Sequence, residues 1–473
     1  MLERLGYRMA RWAQRWVPDP FVLALLLTII TIIGAVLFGK PGFDLWSAVG
    51  SWGGRLANGE LTPEEKGFWR FLTFAMQMAF ILVTGHALAV TKPIARLIRR
   101  LASLPQNTGQ AAALTAVVAM VSALVNWGLG LIVGALLARE VGVAFRESGR
   151  KLHYPLVVAA GYVGLMVWHG GLSGSAPLKM SQMKDVQEVL GGVTLSGGQT
   201  LAEAVGPLAL TETLFSPLNL VICGLLLLFV PFFFWLLAPK EEQAMTGIEK
   251  FQPQGEISPP EPQEKTLVAF FEQKPYLNWI AALLGVTYLS LYLPKLGFWN
   301  IDINVINLCL LILGLILHPS PLSYVRAITE ASRGVGGIIL QFPFYAGILG
   351  ILSASGLLQK ISDGIVSIST ATTFPFWTFL SASLVNLFVP SGGGQWGVQG
   401  PIVMLGASQL GVDYGSAVMA LAYGDEWTNM LQPFWALPLL SLTGVRARDI
   451  FGYTIVVMLL SFPLYGIPLF FLS

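Results

Sequence analysis

The sequence predicts an all-α polytopic membrane protein with about nine transmembrane helices and two re-entrant hairpins, in two inverted repeats with broken helices. Hydrophobic residues make up 54% of the chain and charged residues only 11%, whereas an ordinary soluble domain carries about 25% charged residues. Apolar runs of about 20 residues recur along the chain, the length a helix needs to cross a bilayer. The runs are continuously apolar and do not alternate, which excludes a β-barrel. A net charge of +2 says little alone, and no nucleic-acid partner is expected. Cys223 and Cys309 both lie inside apolar runs and read as packing residues, with neither a disulfide framework nor metal-ligand spacing.

Spans fall near 21–38, 67–90, 154–172, 217–238, 277–293, 303–318, 335–357, 413–443 and 450–471. Arg4, Arg8, Arg11 and Arg15 precede the first run, and no small-residue cleavage site follows it, so it reads as a retained span and not a signal peptide. Two further stretches break the pattern. Between Arg100 and Arg139 there is no charge, yet the polar start at 105–110 leaves only about 28 apolar positions. Two crossings need about 40. Basic clusters flank it on both sides, which places both ends in the cytoplasm, so the stretch reads as a hairpin over about 110–143. The second stretch, about 374–410, holds V-P-S-G-G-G-Q-W-G at 389–397. Its glycines and proline free backbone groups that lipid cannot satisfy, so it reads as a second hairpin.

Charge placement supports this arrangement. With a cytoplasmic N-terminus, the short inner segments hold 16 Lys and Arg and the outer ones eight, as the positive-inside rule requires. The Pro-, Glu- and Gln-rich segment 239–275 reads as a flexible cytoplasmic linker. It separates a first unit, 1–238, from a second, 276–473, which opens with one linking span. M-Q-M-A-F (76–80) matches L-Q-F-P-F (340–344), pairing Gln77 with Gln341. S-A-L-V-N (122–126) matches A-S-L-V-N (382–386), pairing Asn126 with Asn386, and Tyr162 pairs with Tyr423. The offsets of 264, 260 and 261 keep nearly one register. Four crossings plus one linking span turn the second unit upside down, the arrangement of secondary transporters that hold substrate near the midplane.

Four interruptions are the candidate site: 126–130, 168–177, 391–397 and 424–429. Half-helix N-termini suit a carboxylate, while unwound carbonyls suit a cation. The candidate backbone includes Gly128, Gly174, Gly393 and Gly424. Trp127, Trp168, Trp396 and Trp427 occur one per interruption, offering either an apolar wall with one N–H donor or an interfacial belt. Asp425 and Glu426 are adjacent acids inside an apolar span, which marks an ion or proton pathway. Asp425 is the favoured coupling carboxylate. Glu426, His169, Asn126 and Asn386 join it as coupling candidates, with H⁺ and Na⁺ both open. Gln341 either lines the cavity or bridges helices, and His86 reads as structural. A membrane hydrolase is the rival class, since G-L-S-G (171–174) matches a G-x-S-G pattern with His318 as the later histidine; a channel is a further alternative.

At W-V-P-D-P (16–20), N-W-G-L-G-L-I-V-G-A (126–135), G-G-L-S-G-S-A-P-L (170–178), Q-F-P-F-Y-A-G-I (341–348), V-P-S-G-G-G-Q-W (389–396) and A-Y-G-D-E-W-T-N-M-L-Q-P-F-W-A-L-P (422–438), the chain resembles the bacterial short-chain fatty acid transporter family, of the acetoacetate/butyrate permease type within the ion transporter superfamily. The resemblance covers essentially the whole chain. It implies inner-membrane uptake of a small monocarboxylate without a cofactor, by a homodimer with a scaffold and a moving domain. It also implies substrate and cation sites at Asn126, Ser173, Ser175, Ser391, Gly392 and Asn429. The chain departs at Gln395, where some members carry His, which bears on the coupling ion. Another organic anion, such as a dicarboxylate or aminobenzoyl-glutamate, is the alternative substrate.

Overall fold

In the computed structural model the described residues are 2–16, 18–54, 67–191, 193, 195, 198–251, 266–296, 303–333, 335–390 and 392–472. Among them the regular structure is helical throughout. The first helix, α1 (Leu2–Trp16), is amphipathic; its buried Ala10 and Ala13 lie against the chain's last helix, with Gln14 Nε2 donating to Asp449 Oδ1 at 3.2 Å. Next comes α2 (Pro20–Phe38), where Pro20 stands at the first helical position and the Asp19 carboxylate accepts the Phe21 N–H at 2.9 Å, a favourable helix start. After α3 (Leu45–Gly53), α4 (Leu72–Ala89) and α5 (Lys92–Ser103) follow. The last two meet at a bend of 84°, which turns the basic α5 away from the apolar α4.

The first hairpin is α6 (Thr108–Val125) and α7 (Trp127–Glu147), folded back at Asn126. Its arms are 18 and 21 residues long, and each is long and apolar enough to cross a bilayer. They exceed the expected length because α7 runs on past Arg139 and Glu140. Then come α8 (Tyr154–Tyr162), a 3-10 turn (Val163–Met166), α9 (Ser175–Lys179), the short α10 (Met183–Leu190) and α11 (Leu201–Val205), and the long α12 (Pro217–Leu237). The hairpin clasps α8 through small residues: a Cβ on Gly134 would strike the Gly161 carbonyl, the close backbone approach that membrane helices use.

Helix α13 (Leu267–Gln273) forms within the expected linker, and the second part holds α14 (Tyr276–Leu296), α15 (Ile303–Leu317), α16 (Pro321–Ser332), α17 (Gly336–Ser355), α18 (Leu357–Ile368), α19 (Phe374–Asn386), α20 (Gly392–Leu410), α21 (Tyr414–Thr428), α22 (Pro433–Thr443) and α23 (Ala447–Phe471). Packing between the two parts is reciprocal. Helix α2 lies on α17 while α15 lies on α4, and α3 lies on α17 while α16 lies on α4.

Among the described residues seven helices are long and apolar enough to cross a membrane, or eight with the bent α4–α5 pair. The expected spans at 21–38, 217–238, 277–293, 335–357 and 450–471 are single long helices. Those at 154–172 and 413–443 are interrupted, and 303–318 holds a shorter apolar helix. The start of the expected flexible linker is docked: the Thr246 N–H donates to His153 Nδ1 at 3.1 Å and its carbonyl accepts the Tyr154 N–H at 2.9 Å. Residues 252–265 of that linker lie outside the described residues.

Candidate functional site

Glycine recurs through the interruption after α8, which opens at Val163 and so earlier than the expected 168–177, because its backbone presses on the α6–α7 hairpin. A side chain on Gly164 would meet the Ala119 carbonyl, and one on Gly171 the Leu124 carbonyl. Lipid offers no partner for the backbone groups freed there, so the protein must supply them. Tyr465 OH donates to Met166 O at 2.6 Å, Asn219 Nδ2 to Gly170 O at 2.9 Å, and Leu172 N to Leu124 O at 2.7 Å. The Trp127 N–H donates to Ser173 Oγ at 2.9 Å, joining the first hairpin tip to this segment. Asn126 caps α7, its Oδ1 accepting the Gly128 and Leu129 N–H groups at 2.9 and 3.2 Å.

The interruption expected at 424–429 lies a few residues later. Helix α21 runs to Thr428, and the backbone opens over Asn429–Gln432. Pro433 is the cause: it starts α22 and disfavours helical geometry at the residue before it, and Gln432 is extended at φ −96°, ψ 114°. Asp425 and Glu426 therefore sit on the last turns of an intact helix. The opening expected at 391–397 also moves. Helix α20 begins at Gly392, so Gly393, Gln395 and Trp396 belong to its first turns. The break lies at Leu387–Pro390, where Pro390 lacks an N–H to continue α19; Ser391 is outside the described residues.

These pieces meet at one buried centre. His169 is fully buried, Asp425 is 1% exposed and Glu426 fully buried. The His169 N–H donates to Glu426 Oε2 at 3.0 Å, and His169 Nε2 lies 3.7 Å from Asp425 Oδ1. Both His169 ring nitrogens and both Asp425 carboxylate oxygens have no hydrogen-bond partner among the described residues. A Cβ on Gly392 would overlap His169 Nε2, so the N-terminus of α20 abuts the imidazole, and a Cβ on Gly393 would stand 3.9 Å from Ser175 Oγ. Asn386 Nδ2 reaches Asp425 O at 2.6 Å, Thr428 Oγ1 at 3.1 Å and Asn429 Oδ1 at 3.0 Å. Trp127, Ser173, Ser175 and Gly393 are half-buried around this centre. The ring of Trp127 lies 6.2 Å from that of Trp168 and 5.0 Å from that of Trp435.

Other predicted residues point elsewhere. Trp427 Nε1 donates to Met458 O at 2.7 Å, toward α23. Gln395 Nε2 donates to Ala382 O at 2.9 Å and to Gln399 Oε1 at 3.0 Å, tying α20 to α19. Trp396 packs in an apolar cluster with Ala176, Met180 and Phe374. Gln341 is buried on α17, one residue before Phe342, whose ring stacks on Phe434 at 4.0 Å. Gly128 would bring a Cβ onto Ile81, and Gly424 one onto the Phe379 carbonyl; both are close-packing positions, as Gly174 is beside the His169 carbonyl. The hydrolase reading needs a base beside Ser173, but both ring nitrogens of His318 are engaged, one with Ser323 Oγ and one with the Ala87 carbonyl.

Several residues that bind the centre together had no assigned role in the sequence. Tyr162 OH is shared between Asn429 O at 2.9 Å and Gln432 O at 2.8 Å. Tyr423 OH donates to Asn219 Oδ1 at 3.0 Å, and Gln432 Nε2 to Leu387 O at 2.9 Å. The available signal was a phenol or amide inside an apolar helix, which must find a partner when buried. Chemically the centre holds two carboxyls and an imidazole away from water, beside a helix N-terminus that favours negative charge. No cluster of three or more metal-ligating His, Cys, Asp or Glu side chains occurs among the described residues.

A helical multi-pass chain with interrupted helices closing on buried acids defines a membrane transporter architecture. The chain belongs to the short chain fatty acid transporter family, whose sequence model matches residues 1–472. It is similar to a protein of Escherichia coli (strain K12), 39% identical over 470 residues, 99% of each chain. It is also similar to one of Haemophilus influenzae, 36% identical over 474 residues, 100% of each chain. Both carry the name "Putative short-chain fatty acid transporter". Among solved structures it resembles the Alcanivorax borkumensis YdaH transporter, with 15% identity, a TM-score of 0.42, and coverage of 96% of this chain and 97% of that one.

Proposed function

We propose that this chain is a symporter carrying short-chain fatty acids such as butyrate or acetoacetate across the bacterial inner membrane by alternating access, driven by a co-transported cation. The observation that carries the proposal is the meeting of two interrupted helices at His169, Asp425 and Glu426. Ionisable groups buried in membrane helices mark substrate and ion pathways, and interrupted helices supply the ligands at such sites. The half-buried Ser173, Ser175 and Gly393 offer polar contacts for a carboxylate, along with Asn126 and Asn429. Trp127, Trp168 and Trp435 offer an apolar wall for a short hydrocarbon tail. No Lys or Arg lies in 126–130, 168–177, 387–397 or 424–432, so a carboxylate there is held by helix ends, amides and hydroxyls, and a dicarboxylate would need a second such anchor.

The order of elements supports the inverted-repeat reading. The hairpin α6–α7, the interrupted α8, then α9 and α12 are matched in order by α19–α20, the interrupted α21, then α22 and α23, with α14 between the two sets. The N-terminus is cytoplasmic by the charge bias, and a homodimer follows the family resemblance. Counterflow tests the reading. Proteoliposomes at pH 8, loaded with excess unlabelled acetoacetate or butyrate, should draw in labelled substrate transiently and faster than protein-free liposomes. Flux without counterflow would mean a channel, and no protein-dependent flux of either acid would reject the substrate class.

A further inference from the structure

The cation that accompanies the substrate is legible in the hydrogen bonds around the interruptions, provided the symport reading holds. Sodium in an interrupted-helix site is held by unwound carbonyls and half-helix C-terminal ends, since hard cations take several oxygen ligands. Here five of those carbonyls already receive hydrogens from side chains. Tyr465 OH caps Met166 O at 2.6 Å, Asn219 Nδ2 caps Gly170 O at 2.9 Å, and Asn386 Nδ2 caps Asp425 O at 2.6 Å. Tyr162 OH caps Asn429 O and Gln432 O at 2.9 and 2.8 Å. A donor hydrogen takes one of a carbonyl's two lone pairs, and its positive end repels an approaching ion.

The Asp425 carboxylate is the contrasting group. Both its oxygens are buried without a partner among the described residues, beside an imidazole whose nitrogens are also unpartnered, with 3.7 Å between Oδ1 and Nε2. The amide oxygens of Asn386 and Gln432 and Glu426 Oε1 are unpartnered too, but the two amides do not titrate. Glu426 Oε2 is held by the His169 N–H, which leaves Asp425 the freer of the two acids. The other titratable groups facing this centre are Tyr423 on the same helix, Cys223 on α12 and Tyr465 on α23; α19 and α20 present Asn386 and Gly392, which do not titrate. No lysine or arginine pairs with either carboxylate among the described residues.

We infer that the coupling ion is a proton, carried on the Asp425 carboxyl group with His169 as its immediate neighbour. A proton from one side converts the carboxylate to the neutral acid and leaves from the same group on the other side. One proton then moves with one monocarboxylate anion, and no net charge crosses the membrane.

The full-length chain in liposomes tests this with labelled acetoacetate under three conditions: an inward proton gradient without sodium, an inward sodium gradient at equal pH, and no gradient. The proton gradient should drive accumulation toward about tenfold per pH unit, faster than in protein-free liposomes, and the sodium gradient should drive none. Accumulation driven by sodium at equal pH, or protein-dependent uptake indifferent to the proton gradient, overturns the inference while leaving the transport reading intact. Loss of all protein-dependent exchange would instead remove that reading. Asp425→Asn should lose the accumulation driven by the proton gradient; a variant that still accumulates substrate faster than protein-free liposomes under that gradient assigns the proton elsewhere. Where that variant fails to fold, the wild-type conditions decide.

Discussion

Asn219 gives the sharpest test of how the interrupted segment is held. The side chain is 1% exposed and joins four partners. Its Nδ2 donates to Gly170 O at 2.9 Å and to Leu214 O at 2.7 Å, while its Oδ1 accepts Tyr423 OH at 3.0 Å and the Cys223 thiol at 3.4 Å. Asn219→Ala strips all four at once. Side-chain hydrogen bonds between membrane helices average about 0.6 kcal/mol, whereas a buried polar group left unpaired costs about 1–3 kcal/mol. With the thiol a weak donor, the three orphaned oxygen groups in a dry site place the loss at about 2–5 kcal/mol. Asn219→Asp should be worse, because a carboxylate can only accept and would face two carbonyls. Reversible unfolding of the purified chain in mixed micelles with rising SDS, followed by circular dichroism, measures both. A double-mutant cycle with Tyr423→Phe should show coupling, since the two side chains share one bond. If Asn219→Ala stays within about 0.5 kcal/mol of the parent, the level of a surface substitution, the hub does not hold the segment and the reasoning fails.

Two further outcomes follow from the same geometry. His153 sits before α8 with its Nδ1 accepting the Thr246 N–H at 3.1 Å, so its Nε2–H faces Tyr453 OH at 2.7 Å; burial holds its pKa down at about 4, against 6.5 for a free histidine. The unfolded chain takes a proton there that the folded chain refuses, so stability is full above about pH 6.5 and falls as pH drops toward 4, by about 3 kcal/mol in all. His153→Gln should flatten that part of the profile in SDS unfolding measured across pH, and an unchanged slope would place the titration elsewhere. Gly392→Ala forces a methyl into His169 Nε2; over-packing costs about 1–3 kcal/mol, so the variant should remain folded by size-exclusion chromatography yet lose counterflow. Full activity would show that the first turn of α20 has room beside His169.

The fold class was legible because bilayer thickness writes directly into the length of apolar runs, and five expected spans are single helices. Boundaries near the interruptions were less legible. Glycines at 392–394 read as a helix breaker, but at a helix start they are tolerated, and Val389-Pro390 is what ends α19. The G-D-E-W-T-N segment was expected as an interruption, whereas α21 holds to Thr428 and Pro433 decides the opening. Tryptophans were uninformative by count alone: Trp127 and Trp168 stand together with Trp435, while Trp427 turns to Met458. Tyr162, Asn219 and Gln432 carried no assigned role, although Gln432 lies within 422–438, because their partners lie far away in sequence. The acids and His169 were legible, being ionisable groups in apolar surroundings, although their mutual distances were not.

The reach of the two tyrosine hydroxyls has a consequence for biogenesis. The partners of Tyr162 are carbonyls made 267 and 270 residues later, and Tyr423 answers an asparagine made 204 residues earlier. As the chain leaves the ribosome, the early helices enter the membrane with Tyr162 unanswered and Gly170 held by an asparagine still awaiting its phenol. The polar centre is therefore finished only after insertion of the last helices, and a truncated nascent chain would wait in the bilayer as an unsatisfied intermediate.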